Sequence, residues 1–362
     1  MGKTGSLDLP LHYGKAPRWL FEKMCLLARS ICEIIIREMG RGYFLQRLSD
    51  PFWFQSLGCV LGFDWHSSGL TTTLCGALKE AFYDLKGYGV YVCGGKGATS
   101  RKTPQEITQI GEKLGKDVAG LIYTSKMVAK VDNNALQDGF TLYHHTFIFT
   151  EEEEWVVVQQ GMAEKNGRWA RRYHWFSQGL TSFVDDPHQA VVGERRFLTL
   201  NMVDKEKKRL RKLVSEISQR KPEENLREFM KLKENVEKLP FRHRILISDI
   251  NSRYLSKIFL KTYEKKADDF SCLLSSEGVG AKTIRALALI CDLIYGESIS
   301  FRDPARFSFA HGGKDGYPYP INSREYQKTI EILNKVINKA KIERSDKIKA
   351  LRRLYRFYQG RG

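Results

Sequence analysis

The side chains best suited to chemistry are six polar residues in the N-terminal half of the chain: Asp64, His66, Asp138, His144, Arg172 and His174. Carboxylates and imidazoles can ligate a divalent metal, an imidazole can act as a general acid or base, and a guanidinium can stabilise charge on phosphorus. We therefore expect a site for phosphodiester cleavage, with Mg²⁺ or Mn²⁺ bound by the first four of these residues. The alternative is an ordinary polar strand surface, since no metal motif such as HExxH supports the set.

A predicted sheet brings three of these residues together. Three stretches alternate with period two and predict an antiparallel meander: 140–149, 155–162 and 168–176. Aromatic residues of the first and third strands share one face, which places His144, Arg172 and His174 on the opposite face. If the aromatic face is buried, these three side chains converge with either Gln159 or Gln160 on one polar surface.

Asp64 and His66 flank a tryptophan in a short segment between Gly62 and Gly69. Polar residues between glycines are typical of a functional loop. Local hydrogen bonding by Asp64 and His66, with Ser67 capping the next helix, explains the same residues equally well.

A second candidate region is the stretch SEGVGAKT, residues 276–283, which predicts a helix, a tight turn and a second helix. Gly278 and Gly280 allow a sharp turn and close approach of the backbone to a ligand. The amides of the turn, the positive end of the following helix and Lys282 all favour an anion such as phosphate. The pattern resembles the helix-hairpin-helix motif of DNA repair and replication proteins. This resemblance implies binding to the DNA backbone, with Gly278, Gly280, Lys282 and Thr283 as contacts; the alternative is an ordinary helical hairpin.

Two further segments carry residues that suit phosphate. The segment 94–104 is rich in glycine and basic residues, and Ser100, Arg101 and Lys102 are its candidate contacts. It is not a P-loop, because its glycine spacing differs. The long segment 301–316 contains Lys314, which would extend the DNA-binding surface or dock on the N-terminal domain.

The charge of the chain favours a polyanionic partner. Among 362 residues, 59 Lys and Arg face 42 Asp and Glu, which gives a net charge of +17. Such an excess attracts nucleic acid through counterion release, whereas a thermophile-like surface would carry acids and bases in balance. DNA is the expected partner.

The sequence has no apolar run of membrane-spanning length and no signal-peptide core at its start. Its seven cysteines include no CxxC pair, which favours free thiols in a reducing compartment. We expect a cytoplasmic protein without a membrane partner.

The pattern of elements predicts an α+β fold. Residues 1–203 form the expected catalytic α+β domain, 204–240 a charged helical connector, and 241–362 a helical DNA-binding domain that contains the glycine hairpin.

Much of the chain resembles a family of unknown function, number seven-six-three. The matching stretches include 63–73, 100–104, 131–145, 170–175 and 302–316. The resemblance implies a prokaryotic and often thermophilic source, and it implies no activity or catalytic residues.

Three functions fit these observations. The first is a DNA-processing enzyme, specifically a metal-dependent nuclease. The second is a glycosylase or lyase of the helix-hairpin-helix type, in which Lys282 matches the lysine that attacks the sugar and Asp303 lies near the position of the assisting acid. The third is a non-catalytic DNA-binding protein.

Overall fold

A computed structural model describes residues 17–63, 68–164, 169–193, 197–305 and 323–358. The fold is α+β, as the sequence predicts: an antiparallel sheet forms in the N-terminal half, and the C-terminal half is mainly helical. Within the described ranges, no helix combines the length and apolarity needed to cross a membrane.

The described helices that precede the first strand are α1 Arg18–Met39, α2 Arg41–Ser49, α3 Pro51–Leu61 and α4 Ser68–Asp84. Asp50 caps α3 by accepting from the amides of Phe52 and Trp53, and Pro51 occupies the first turn, where its missing N–H costs nothing. The other described α-helices are α5 Thr103–Leu114, α6 Ala119–Lys130, α7 Lys208–Ser218, α8 Pro222–Glu234, α9 Phe241–Ile247, α10 Ser252–Lys265, α11 Phe270–Ser275, α12 Ala281–Leu293, α13 Ser323–Lys339 and α14 Arg344–Tyr358.

The main sheet has five antiparallel strands in the order β1–β3–β4–β5–β6, and β2 pairs with β7 separately. The strands are β1 Val90–Lys96, β2 Leu136–Gln137, β3 Phe140–Thr150, β4 Trp155–Ala163, β5 Ala170–Phe176, β6 Ala190–Val192 and β7 Leu200–Asn201. The predicted meander is thus confirmed as β3–β4–β5. Strand β1 and the short β6 add an edge on each side.

Helices cover both faces of this sheet. On one side, which we call the bundle face, Ile148, Val156 and Val158 pack with α1–α4, α13 and α14. On the other, the hairpin face, Phe147, Val157 and Trp175 share a core with helices from α5 to α12. The sheet therefore buries apolar side chains on both of its faces, as expected for a sheet between two layers.

The two hydrophobic cores lie on opposite faces of the sheet and contain different helices. Helices α9–α12 belong to the core of the hairpin face, whereas α13 and α14 pack near α1 and α3 on the bundle side. The domain boundaries at 203 and 240 remain a prediction. The glycine hairpin lies on helices that share a hydrophobic core with the sheet.

Candidate functional sites

Three doublets lie side by side at the centre of the sheet: His144-His145, Gln159-Gln160 and Arg171-Arg172. His144 pairs with Gln160 and Gln160 with Arg172, while His145 pairs with Gln159. Since neighbouring residues on a strand point to opposite faces, each doublet gives one polar side chain to each face. The sheet centre is therefore polar on both sides.

On the bundle face, His144, Arg172 and His174 come together with Gln160, as strand alternation predicts. They do not form the expected polar surface, because none of the four side chains is more than 1% exposed. Helices α3 and α4 cover them, since the same face also carries apolar side chains.

Tyr143, one of the aromatic residues of the first predicted strand, does not lie on the aromatic face. A bulge between Leu142 and His144 turns it away from the aromatic face. Its hydroxyl accepts from Nε2 of Gln160, on the bundle face. Period-two alternation alone does not anticipate such a shift.

Burial keeps both histidines of this face neutral. Burial, assisted by His145 and Lys96, lowers the pKa of His144 to about 3. Burial and the charge of Arg172 hold the pKa of His174 well below its usual value. Neither imidazole is charged near neutral pH, and burial keeps both from solvent.

Asp138 lies on the hairpin face, apart from His144. Its Oδ2 accepts from Nη1 of Arg171 at 3.0 Å and from the hydroxyl of Tyr173 at 2.8 Å. Asp303 also pairs with Arg171, at 2.9 Å. Burial acts to lower the pKa of Arg171, but the two carboxylates outweigh it and raise the pKa above its ordinary value. The predicted metal set of Asp138 with His144 is therefore not assembled, because Asp138 balances a buried arginine.

The hairpin face also contains a hydrogen-bond network that the sequence analysis did not predict. Ser125 Oγ lies 2.9 Å from Nε2 of His145, and Nδ1 of His145 lies 2.7 Å from Oε1 of Gln159. Asp132 then accepts from Nε2 of Gln159 and from Trp175, and it also pairs with His188. Because the Gln159 amide donates to Asp132, its oxygen accepts from Nδ1–H of His145, which leaves Nε2 to accept from Ser125. This series of hydrogen bonds is buried and joins α6 to the sheet.

The described residues include no group of three His, Cys, Asp or Glu that could hold a metal ion. Asp64 and His66 fall in the segment 64–67, outside the described residues. The predicted Mg²⁺ or Mn²⁺ site remains a prediction that depends on these two residues.

The glycine hairpin forms as predicted, between α11 and α12. Gly278 has φ of +82°, and a Cβ there would lie 2.9 Å from Cδ1 of Ile258, so this position requires glycine. Gly280 caps α12 in an extended conformation that any residue adopts, with φ of −125° and ψ of −177°, and a Cβ there would meet nothing within 4 Å. Gly278 thus shapes the turn, and Gly280 leaves open space at the helix N-terminus.

The other predicted contacts of the hairpin differ in exposure. Lys282 is exposed, and its Nζ lies 2.8 Å from the carbonyl oxygen of Asp249 and 3.3 Å from its carboxylate. Thr283 is only 1% exposed, so its side chain supports the turn. Lys130, at the end of α6, donates to the carbonyls of Leu274 and Ser276 and fixes the hairpin to the sheet layer.

Helices α9 and α10 repeat the layout of α11 and α12. Phe241 and Phe270 begin the first helix of each pair, and the buried Ile250 and Val279 fill the two turns. Asn251 and Gly280 cap the second helices. In both turns the apolar residue donates its amide to the carbonyl three residues earlier, at 3.3 Å. The α9–α10 turn has Asp249 in the place of Gly278, and this carboxylate pairs with Arg285 and Lys282 of α12.

The segment 97–102 is a short 3-10 helix between β1 and α5. Arg101 and Lys102 are exposed on it, whereas the Ser100 hydroxyl donates to the carbonyl of Gly97. Lys314 lies outside the described residues. Arg101 and Lys102 are accessible to a polyanion, and the Ser100 side chain is engaged locally.

Comparison with curated proteins gave no match, and comparison with solved structures gave none. The profile of a protein family of unknown function, DUF763, matches residues 5–321 and so spans most of the chain, including the sheet, its three doublets and the glycine hairpin. The protein belongs to the DUF763 family.

Proposed function

We propose that this protein binds the sugar-phosphate backbone of DNA through the hairpin 276–283. The observation that carries the proposal is the open space at Gly280, directly over the N-terminus of the 13-residue helix α12. The first amides of a helix have no partner in a preceding turn, and the helix dipole adds a partial positive charge there. A phosphate can approach such amides closely only where no side chain stands in front of them.

Lysines near the hairpin supply the full charges that a helix N-terminus lacks. Lys282 is exposed in the first turn of α12. Lys261 of α10 lies beside the turn, since a Cβ atom added to Gly278 would be 4.0 Å from its Nζ. With a chain charge of +17, these side chains favour a polyanion over a single small anion.

Fluorescence anisotropy with labelled DNA, single- and double-stranded, tests this function. We expect binding that weakens linearly in a plot of log affinity against log salt. Lys282→Ala should reduce the slope by about one phosphate contact without changing base preference. Binding that is unaffected by both salt and Lys282→Ala would refute the proposal.

Cleavage by a metal-dependent nuclease remains a proposal that the same DNA can test. Purified protein would be incubated with labelled DNA and Mg²⁺ or Mn²⁺, alongside Asp64→Ala and His144→Ala variants. The nuclease hypothesis requires cleavage that both variants impair. Salt-sensitive binding without turnover instead supports the non-catalytic function.

A glycosylase or lyase finds less support in the geometry. Lys282 pairs with Asp249, and Asp303 pairs with Arg171 at the sheet, so the two residues expected to act together have separate partners. Borohydride traps a Schiff base between a lysine and damaged DNA. A trapped complex that Lys282→Ala abolishes would favour the lyase over simple backbone binding.

A further inference from the structure

The exposed side of α10 carries a row of positive charges. Four basic residues follow one another at intervals of four along this helix: Arg253, Lys257, Lys261 and Lys265. Positions four apart lie on neighbouring turns of the same helix face, with a rise of about 6 Å from each to the next. All four side chains are exposed, and we call them the α10 stripe.

The α10 stripe has no counter-ions among the residues that the structure describes. Glu264 is the only acid in the helix, and it pairs with none of the four. Other helices differ, since Lys212 and Arg220 each pair with a glutamate four residues later, as is typical of a solvated helix surface. Like charges four residues apart repel one another, so a polyanion bound along α10 would relieve this repulsion.

Helix α10 passes beside the glycine hairpin. In the turn that precedes α10, the carboxylate of Asp249 lies 3.3 Å from Nζ of Lys282 at the start of α12. Further along α10, a Cβ atom added to Gly278 would lie 3.9 Å from Cδ of Lys261. The α10 stripe therefore continues the positively charged surface of the hairpin 276–283.

An exposed aromatic ring accompanies the stripe. The side chain of Tyr254 is 53% exposed, and within the described part of the chain its ring and hydroxyl have no bonded or stacked partner. It lies about two turns before Lys261 and on the same side of the helix. Aromatic rings among basic residues are typical of single-strand binding, in which bases stack on the rings while cations contact the backbone. A duplex covers the faces of its bases, so the ring favours an unpaired base.

We propose that α10 and the hairpin form one continuous binding surface for single-stranded DNA. The α10 stripe contacts successive phosphates of the strand that the N-terminus of α12 holds, and Tyr254 stacks on an unpaired base. The rise of about 6 Å between stripe residues is close to the distance between neighbouring phosphates of one strand. The ligand is thereby specified as single-stranded DNA, an assignment that rests on the proposed function of the hairpin.

Fluorescence anisotropy at low salt, with a labelled single strand and with the duplex of the same sequence, tests the stripe. Lys257→Glu should raise the Kd for the single strand at least tenfold, because it reverses the charge at a phosphate contact. Lys113→Glu is the matched control, since Lys113 is also exposed, on α5, and α6 separates α5 in the chain from the hairpin contact at Lys130. Equal Kd values for the two folded variants would overturn the role of α10.

Substitutions of Tyr254 test the strandedness of the ligand. Tyr254→Ala should bind the single strand at least fivefold more weakly and the duplex with little change, because only the single strand offers a base to the ring. Tyr254→Phe keeps the ring and should bind like the wild type. Equal losses for single strand and duplex, or no loss for either, would overturn the single-strand assignment.

Lys282→Ala separates this inference from the function on which it rests. Weaker binding in Lys282→Ala, with no change in Lys257→Glu, would keep DNA binding by the hairpin and overturn the α10 surface alone. Weaker binding in Lys257→Glu, with no change in Lys282→Ala, would instead refute the hairpin as a contact.

Photocrosslinking of the wild-type protein keeps the test available should a variant fail to fold. The protein would be irradiated with a single strand that contains bromodeoxyuridine, and the cross-linked peptides would be identified by mass spectrometry. We expect a cross-linked peptide that contains Tyr254. Cross-links confined to peptides outside α10 would overturn the proposal.

Discussion

The centre of the sheet and the glycine hairpin both carry residues whose types suit phosphate chemistry, yet they differ in access. At the sheet centre, His144, Arg172 and His174 are enclosed between helices. At the hairpin, Gly278 and Lys282 are exposed and Gly280 has open space in front of it. Residue type therefore identifies a polar cluster, whereas exposure decides whether a polymer can reach it.

The sheet centre also differs between its own two faces. Arg171 is paired with Asp138 and Asp303, whereas the partners of Arg172 among the described residues are neutral. The first arrangement is a closed structural ion cluster. In the second, uncharged acceptors and the ring of Phe54 hold the guanidinium. Substitutions at the sheet centre should therefore act on stability, and substitutions at the hairpin should act on DNA binding.

The largest expected effect is on stability at Arg171. Arg171→Met leaves Asp138 and Asp303 buried without their cation, which should lower the free energy of unfolding by about 3–5 kcal/mol. Urea unfolding measures this loss. DNA affinity per folded molecule should stay unchanged, and a loss of DNA affinity without a loss of stability would place the sheet centre in the DNA site.

Acid should destabilise the protein through the enclosed histidines. The folded state favours neutral His144, whose pKa falls from 6.5 to about 3, so the unfolded chain binds its proton first as pH decreases. The contribution of His144 to the free energy of unfolding is therefore fully present above pH 6.5. It decreases toward pH 3 by about 1.4 kcal/mol per pH unit. Urea unfolding at pH 7 and pH 5 should show a smaller difference for His144→Gln than for the wild type. Equal differences would mean that His144 is accessible to protons in the folded state.

Gly278→Ala should weaken the fold and the hairpin together. The variant residue must adopt φ of +82° and displace Ile258, which costs about 1–2 kcal/mol. Thermal unfolding and DNA anisotropy should both detect the change. An unchanged Tm would show that the turn does not depend on this glycine.

Asp249→Asn should have the smallest effect on stability and should tighten DNA binding. Asp249 competes with phosphate for Lys282 and Arg285, and its carboxylate is about half exposed, so its ion pairs contribute less than about 1 kcal/mol. We expect a severalfold lower Kd for DNA at low salt. Weaker binding would indicate that Asp249 positions Lys282 instead of occupying it.

Much of the fold follows from local pattern. The meander strands alternate clearly, and the glycine-containing stretch marks a turn between two helices, so these elements form as the sequence predicts. The edge strands β1 and β6 were harder to anticipate as parts of one sheet, because their pairing joins segments far apart in the chain.

The site residues were less predictable for a physical reason. Alternation places His144 and Arg172 on one face, but it cannot tell whether helices cover that face. The three doublets were the available signal of polar groups on both faces. Each of three neighbouring strands has a pair of adjacent polar residues, His-His, Gln-Gln or Arg-Arg, and adjacent residues of a strand point to opposite faces. Asp138 pairs with Arg171, whose side chain lies on the face opposite those of Arg172 and His144, so Asp138 and His144 do not meet.

The most direct test of DNA binding through the hairpin compares Gly280→Asp with Gly120→Asp. Both glycines have open space around a Cβ, and both variants add one carboxylate near a helix N-terminus. Asp is a favourable N-cap residue, so Gly280→Asp should keep or slightly raise the Tm. Its charge would stand where phosphate approaches α12, and we predict at least a tenfold higher Kd for DNA with little change in Gly120→Asp. Equal Kd values for the two folded variants would contradict the account.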